Sequence, residues 1–339
     1  MPRHLDGTPE NADRRSVGRE RERSGVSRPE ALGGERKGAG GRGAASVGAQ
    51  PVPERTRFVG ALLGGAIGDA LGQPVEGMSP PAIRARYGRL TEYQRWPGWK
   101  EGPIGTVTDD TQMTMCVAEC LTARGFLDPE DLARRFVAWL PHGRGKGRTT
   151  TEAVRRLQAG EPWYRAGDDS SGSAPAMRAA PIGLLRWNDP GRFRTEAVLS
   201  ALPTHRQPMG VAGAVAMAAA TAWLLTREAG EWDAHEFIAA VQAATAGLEP
   251  GPEAERRDPS VKTTLHDRIG RIPALLAHDP DEVFACLYNG GYVLECLPAA
   301  LYCFLRSADN AAGHQVAIIV PGCCDQDADE SDGIYRIGR

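Results

Sequence analysis

The stretch GTVTDDTQM, residues 105–113, places two adjacent aspartates, Asp109 and Asp110, directly before the apolar run MTMCVAECL. Thr108 precedes the pair. A single Asp or Thr at this position is an ordinary N-cap, because its side-chain oxygen accepts a hydrogen bond from a first-turn N–H group. Two carboxylates and a hydroxyl also supply three hard oxygen donors, which suit Mg²⁺ or Mn²⁺ rather than Zn²⁺. The stretch therefore predicts a helix that begins at residue 109, and it leaves open whether the aspartates cap that helix or form half of a metal site.

Apolar residues recur with helical spacing on both sides of this stretch, and no run of period-2 alternation stands out. The pattern predicts an all-α fold, a compact single-domain helical bundle over residues 55–306. Residues 1–54 contain too few large apolar side chains to offset the entropy of ordering, so we predict a disordered tail there. Residues 307–339 lose the helical period and form an atypical C-terminal tail. The predicted helices, besides one over FVGALLGGAIGDALG from Phe58, lie near 79–87, 109–124, 129–139, 149–159, 174–187, 190–200, 207–228, 233–246, 260–277, 280–288 and 292–306.

The composition narrows the class of protein. The chain has 339 residues, of which 41% are hydrophobic and 24% charged, and its net charge is −3. A charge this small gives no electrostatic basis for binding nucleic acid or an anionic membrane. The N-terminus has no secretory signal, and the apolar run 209–225 is better explained as a buried core helix than as a membrane span. The seven cysteines follow no metal-binding spacing and predict a cytoplasmic protein, which we expect to be a monomer.

The segment FVGALLGGAIGDALG has glycines at 60, 64, 68 and 72, which fall on one face of a helix. Glycine weakens a helix, so the stripe requires either tight helix packing or a neighbouring site. Asp69 lies inside the same apolar segment, and a buried carboxylate requires a partner.

Five segments occur in a recognisable order: GALLGGAIGDALGQPVEGMS, GTVTDDTQMTMCVAECL, SGSAPAMRAAPIGLL, SALPTHRQPMGVAGAVAMA and GGYVLECLPAALYCFL. This succession resembles the ADP-ribosylglycohydrolase family, the group that includes dinitrogenase reductase-activating glycohydrolase, over about residues 57–306. The resemblance implies a compact all-α fold with a binuclear Mg²⁺ (or Mn²⁺) centre at the mouth of an ADP-ribose cleft. It also implies a hydrolase that cleaves the glycosidic bond between ADP-ribose and an acceptor. Its partner would be an ADP-ribosylated protein or a small ADP-ribose conjugate.

The resemblance assigns roles to particular residues. Thr108, Asp109 and Asp110 match the first group of metal ligands, and we expect the two aspartates to take part in catalysis. Glu76, in PVEGM, matches an acidic residue near the metals that contacts water or substrate. In chemical terms, metals polarise ribose hydroxyls and orient a water, while carboxylates move protons and stabilise positive charge on the sugar.

Three further elements match substrate-binding positions of the family. Gly145 and Gly147, in HGRGKGRTT, match a glycine-rich loop beside the substrate, although a solvated loop explains them equally simply. Gly172 and Ser173 match a small-residue loop that touches the distal ribose and phosphates, and the alternative is a turn at a helix start. His205, in PTHRQP, matches a Thr-His before a long buried helix, where a structural histidine is the alternative to a functional one.

The second ligand group of the family, a C-terminal G-G-D-T-D-T-like motif, is not found. Asp325, Asp327 and Asp329 alternate in PGCCDQDADESDG, but their flanking residues differ from the motif. A frame change or truncation after Arg306 would explain the difference, and translation of the other reading frames would test it. Three hypotheses follow: an active hydrolase, a degenerate non-catalytic member that at most binds ADP-ribose, and a helical protein in which residues 108–111 are only a cap.

Overall fold

The computed structural model describes residues 52–88, 90–99, 101–228, 231–250, 263–288 and 290–307. The predicted N-terminal tail (apart from residues 52–54) and the C-terminal tail after Ser307 lie outside these residues. The described residues form helices with no β-strand, so the all-α prediction is confirmed. The α-helices are α1 Arg55–Gly72, α2 Pro80–Tyr87, α3 Asp109–Arg124, α4 Pro129–Trp139, α5 Arg148–Gln158, α6 Trp163–Ala166, α7 Ala174–Met177, α8 Ala180–Leu185, α9 Pro190–Ala201, α10 Pro208–Leu225, α11 Ala234–Thr245, α12 Leu265–Leu275, α13 Pro280–Leu287 and α14 Val293–Ser307.

Helix α10 lies at the centre of the fold and packs against α7, α8, α9 and α11. Most of its residues are Ala, Gly, Val or Met, and nearly all are buried. By length and composition, α10 and the segment Arg55–Val75 could both span a membrane, but 83% of the apolar window of α10 is buried within the protein. The prediction of a buried core helix over 209–225 is confirmed.

Helix α3 has the predicted bounds, because both of its ends are encoded locally. At its N-terminus the Thr108 side chain accepts a hydrogen bond from the backbone N–H of Asp110. At its C-terminus Gly125 adopts a left-handed conformation, with φ of 74°, and closes the last turn. The helix packs against α1, α4 and α8, so its N-terminal end is held between α1 and the core.

The prediction of one helix over 174–187 is wrong, because the segment forms the two short helices α7 and α8. Pro181 has no N–H to donate to the carbonyl four residues earlier, which belongs to Met177. The hydroxyl of Thr114 donates chiefly to the carbonyl of Asp110, at 2.6 Å, and shares its proton with the Met177 carbonyl at 3.2 Å. The break thus joins α7 to α3 at Thr114, about one helical turn from the paired aspartates.

The glycine stripe of α1 is only partly explained by packing. Gly72 is buried, but Gly60 is exposed, and a Cβ atom there would meet nothing within 4 Å. On the same helix Val59, Leu63 and Ile67 are exposed. The last turn of α1 is the part that contacts the site described next.

Candidate active site

The carboxylate of Asp69, in the last turn of α1, accepts four hydrogen bonds from the start of α3. Its Oδ2 atom accepts from the backbone N–H groups of Thr108 and Thr111, at 2.8 and 3.2 Å, and from the Thr111 hydroxyl at 2.5 Å. Its Oδ1 atom accepts from the Thr108 hydroxyl at 2.8 Å. Asp69 is only 5% exposed, so these bonds compensate for its burial. The partner that the sequence required for Asp69 is therefore the first turn of α3.

This arrangement decides how the N-terminus of α3 is capped. The N–H groups of a first helical turn have no partner within the helix. Here the N–H of Asp110 bonds to Thr108, and the N–H of Thr111 bonds to Asp69. The cap therefore does not require the side chain of Asp109 or Asp110.

Asp109 and Asp110 are nevertheless buried, with 4% and 5% of their surface exposed. Burial raises the pKa of the Asp110 carboxyl well above its usual range. The charges of Asp109, Asp69 and Glu76 raise this pKa further, in that order. Glu76 follows the 3₁₀ turn Gln73–Val75 at the end of α1, and its negative charge is the smallest of these contributions to the Asp110 pKa. We call Asp69, Glu76, Asp109 and Asp110 the carboxylate cluster.

The Thr108 hydroxyl is oriented by one hydrogen bond that it donates and one that it accepts. It donates its proton to Asp69 and accepts from the N–H of Asp110. A hydroxyl has one proton and two lone pairs, so one lone pair remains after these bonds. Thr108 can therefore act only as an electron-pair donor toward a further group.

The structure describes a small set of hard oxygen atoms that could bind a cation. Thr108, Asp109 and Asp110 provide oxygen atoms of the kind that Mg²⁺ and Mn²⁺ prefer. Among the described residues, no three His, Cys, Asp or Glu side chains are grouped so that they could hold a metal ion. The residues present fit one side of a divalent-cation site.

The glycine-rich loop lies directly beside this cluster. Gly145 has a left-handed backbone, with φ of 67°, and a Cβ atom there would stand 3.1 Å from Oδ1 of Asp109. Arg144 donates from Nε to the carbonyl of Val107, at 2.7 Å. Gly147 ends the loop and caps α5. The structure thus brings Gly145 to the aspartates, whereas binding of a diphosphate by this loop stays a prediction.

The second predicted loop, with Gly172 and Ser173, packs against His205. Isolated β-bridges join Asp168 to His205 and Gly172 to Tyr292. A Cβ atom on Gly172 would lie 3.0 Å from Nε2 of His205, so glycine permits this close approach. Ser173 is fully buried, and its backbone N–H donates to the carbonyl of Gly291 at 3.2 Å.

His205 is 1% exposed, and its Nδ1 atom lies 2.9 Å from the Thr204 hydroxyl. Burial lowers its pKa to about 3, and the positive charge of Arg178 contributes to this shift. The imidazole is therefore neutral at physiological pH, and it packs against the loop that contains Gly172. This geometry favours the structural alternative for His205, while substrate contact by Gly172, Ser173 and His205 stays a prediction.

Thr111 and Gln112 also contact the site, although the sequence does not predict a role for either. Thr111 donates twice to Asp69, and Gln112 contacts His142 and Arg144 of the glycine-rich loop. Their only sequence signal is position, since they stand within one helical turn of the paired aspartates.

The family model described as ADP-ribosylglycohydrolase matches residues 50–329. The match therefore continues past residue 306, where the sequence predicts a change of character.

An uncharacterised protein of Archaeoglobus fulgidus is 38% identical over 168 residues, covering 49% of this chain and 55% of that protein. ADP-ribosyl-[dinitrogen reductase] glycohydrolase of Rhodospirillum rubrum is 31% identical over 163 residues, with coverages of 48% and 55%. The chain thus spans about half the length of these relatives.

ADP-ribosylhydrolase ARH3 of Danio rerio is 28% identical over 283 residues, covering 78% of this chain and 74% of that protein. A solved structure titled ADP-ribosylglycohydrolase-related protein complex has 27% identity and a TM-score of 0.51. It covers 79% of this chain and 84% of its own.

Proposed function

Since the chain belongs to the ADP-ribosylglycohydrolase family, we propose that it is a metal-dependent hydrolase that cleaves the glycosidic bond between ADP-ribose and an acceptor. The observation that carries this proposal is the capping of α3 by Thr108 and Asp69. The paired aspartates, which the cap does not need, are buried beside other carboxylates, and burial raises the pKa of the Asp110 carboxyl; a buried acidic group of this kind favours a functional site.

In this proposal Thr108, Asp109 and Asp110 hold one side of a Mg²⁺ (or Mn²⁺) centre, which the family resemblance makes binuclear. When bound, the cation would supply Lewis acidity toward the ribose hydroxyls and lower the pKa of water. Because the Thr108 hydroxyl donates its proton to Asp69, it would face the cation with a lone pair. The second ligand group was not found in the sequence, and the candidates Asp325, Asp327 and Asp329 lie outside the described residues.

Glu76 is the group that we assign to proton transfer or to the positioning of water. It follows a 3₁₀ turn, is only partly buried, and influences Asp110 electrostatically. A carboxylate at the rim of a buried acidic cluster can reach both solvent and a bound glycosidic bond. Gly145 and Gly147 would bind the diphosphate through backbone N–H groups.

The substrate class follows from the relatives' names and remains part of the proposal. The Rhodospirillum rubrum relative is named for ADP-ribosyl-dinitrogen reductase, and the Danio rerio relative is named an ADP-ribosylhydrolase. We propose an ADP-ribosylated protein, with arginine as the acceptor, or a small ADP-ribose conjugate.

One observation favours a second candidate function, a non-catalytic protein that binds ADP-ribose. The described residues contain no group of three or more His, Cys, Asp and Glu that could hold a metal ion. If residues 308–339 add no ligand, the cation would be bound loosely, because Mg²⁺ requires near-octahedral coordination.

The test is the release of ADP-ribose from an ADP-ribosyl-arginine protein by the full chain, in Mg²⁺, in Mn²⁺ and in EDTA. We expect turnover with either cation and none in EDTA. Asp109→Ala should abolish turnover, while the matched control Asp281→Ala should not, because Asp281 is an exposed first-turn aspartate of α13. Equal turnover in EDTA would contradict the metal requirement, and ADP-ribose binding without turnover would favour the second candidate.

A further inference from the structure

Gln112, on the first turns of α3, joins this helix to the glycine-rich loop through all the polar atoms of its amide. Its Oε1 atom accepts from the backbone N–H of Arg144 at 2.9 Å and from Nε1 of Trp139 at 3.3 Å. Its Nε2 atom donates to the carbonyl of His142 at 3.3 Å. Rotating the amide by half a turn would direct its NH₂ group at two donors, so these contacts fix one orientation.

The loop is fastened on its other side by Arg144, whose Nε donates to the carbonyl of Val107. Two connections therefore join the loop to the α3 N-terminus, one on each side of Thr108 and Asp109. Between them Gly145 approaches Asp109 so closely that no Cβ would fit without displacement. The distance between the loop backbone and the carboxylate cluster is thus set by the Gln112 and Arg144 contacts.

We propose that Gln112 is a positioning residue that sets the glycine-rich loop at the distance from the carboxylate cluster at which an ADP-ribosyl group can contact both. The inference rests on the proposed function, because it takes the loop as the diphosphate site and the cluster as the reaction centre. Gln112 itself contacts neither the bound diphosphate nor the reacting bond. Its contribution is to hold the loop in its bound arrangement before the substrate arrives, so that binding does not have to order it.

Gln112→Ala removes the three hydrogen bonds and leaves the cluster intact. We expect KM for the ADP-ribosyl-arginine protein to rise about tenfold, which corresponds to losing one or two net hydrogen bonds. The value of kcat should change less than threefold, because the groups that act in the transition state are unaltered. The affinity for Mn²⁺, measured by its paramagnetic resonance signal, should stay within twofold of that of the wild type.

Two variants provide matched controls. Gln158→Ala makes the same substitution at an exposed position at the end of α5 and should leave KM unchanged. Trp139→Phe keeps an aromatic ring in the core but removes the Nε1 donor to the same amide oxygen. Its effect on KM should be smaller than that of Gln112→Ala and should vanish in the double variant, because both substitutions remove one shared contact.

A separate readout distinguishes this inference from the proposed function. Amide hydrogen exchange of a peptide covering 140–147 should be faster in Gln112→Ala than in the wild type, whether or not the protein is an active hydrolase. A wild type that neither binds nor hydrolyses an ADP-ribosyl group would refute the proposed function, and with it the part of the inference that concerns substrate. Unchanged exchange, unchanged KM, or a loss of Mn²⁺ affinity equal to the loss of activity would each overturn the positioning role.

Discussion

The substitution of Asp69 tests whether the carboxylate cluster is assembled as described. Asp69→Ala removes four hydrogen bonds and leaves the buried N–H group of Thr108 and the partly buried N–H group of Thr111 without their acceptor. Each buried N–H that loses its acceptor costs about 1–3 kcal/mol. Relief of repulsion with Asp110 offsets part of this loss. We therefore expect the free energy of unfolding in EDTA to fall by about 3 kcal/mol.

Asp69→Asn should behave differently, because one oxygen of Asp69 accepts three of the four bonds. The amide oxygen of Asn can take the place of Oδ2 and keep the bonds from Thr108 N–H, Thr111 N–H and the Thr111 hydroxyl. The amide NH₂ then faces the Thr108 hydroxyl, which must turn around and accept. Stability should fall by only about 1 kcal/mol, because neutral acceptors form weaker bonds than carboxylates. The free energy of cation binding should fall by more than the free energy of unfolding, since both lone pairs of the Thr108 hydroxyl would then accept hydrogen bonds and none would face a cation.

The assay is urea unfolding followed by circular dichroism, with Thr111→Val as a control that removes one hydroxyl donor and should cost about 1 kcal/mol. Mn²⁺ titration of the folded variants completes the comparison. If Asp69→Ala lowered stability by less than 1 kcal/mol with an unchanged m-value, the capping role of Asp69 would be refuted. Asp109 or Asp110 would then have to serve as the cap of α3.

Two further predictions concern the same cluster. The raised pKa of Asp110 means that, without metal, the folded protein holds a proton on this carboxyl at pH values where the unfolded chain has already lost it. The free energy of unfolding therefore falls as the pH rises above the ordinary pKa of Asp. Asp110→Asn should therefore unfold at higher urea than the wild type at pH 7 in EDTA, with the gain disappearing near pH 4; a gain independent of pH would exclude this cause. Gly145→Ala should lower the free energy of unfolding more than Gly125→Ala. Both glycines have a similar positive φ, but only at position 145 would the added Cβ meet a neighbour, Oδ1 of Asp109 at 3.1 Å. Equal losses in urea unfolding would show that the contact with Asp109 is unimportant.

Local signals account for the parts of the fold that were predicted correctly. The bounds of α3 follow from Thr108 and Gly125, whose conformations depend on their immediate neighbours. The central position of α10 follows from a run of small apolar residues with no charged side. The break between α7 and α8 was missed because a helical pattern of apolar residues continues across Pro181. The lost hydrogen bond at Met177 is replaced from α3, which no local pattern reveals.

Some residues of the candidate site could be predicted from the sequence, and others could not. The sequence predicted roles for Asp109, Asp110 and Glu76 through their chemistry and their family resemblance, and these roles stay predictions; the structure shows that the two aspartates are buried and that the charge of Glu76 acts on Asp110. The sequence could not show that Asp69, 39 residues before Thr108, caps α3 in place of the paired aspartates. It also left Gln112 unremarked, because a glutamine on a helix acquires a role only from the loop that packs against it.

The bonds between Asp69 and the start of α3 have a consequence for the order of folding. They close a loop of 39 residues, so they form only when α1 docks, after the local contacts of α3 itself. Docking is also the step that brings Asp69 and Glu76 toward Asp109 and Asp110, and their mutual repulsion opposes it. A cation that neutralises this repulsion in the transition state should accelerate refolding, whereas one that binds only after docking should slow unfolding alone. The refolding and unfolding arms of a chevron recorded with and without Mn²⁺ would therefore reveal when the acidic centre is assembled during the folding of the chain.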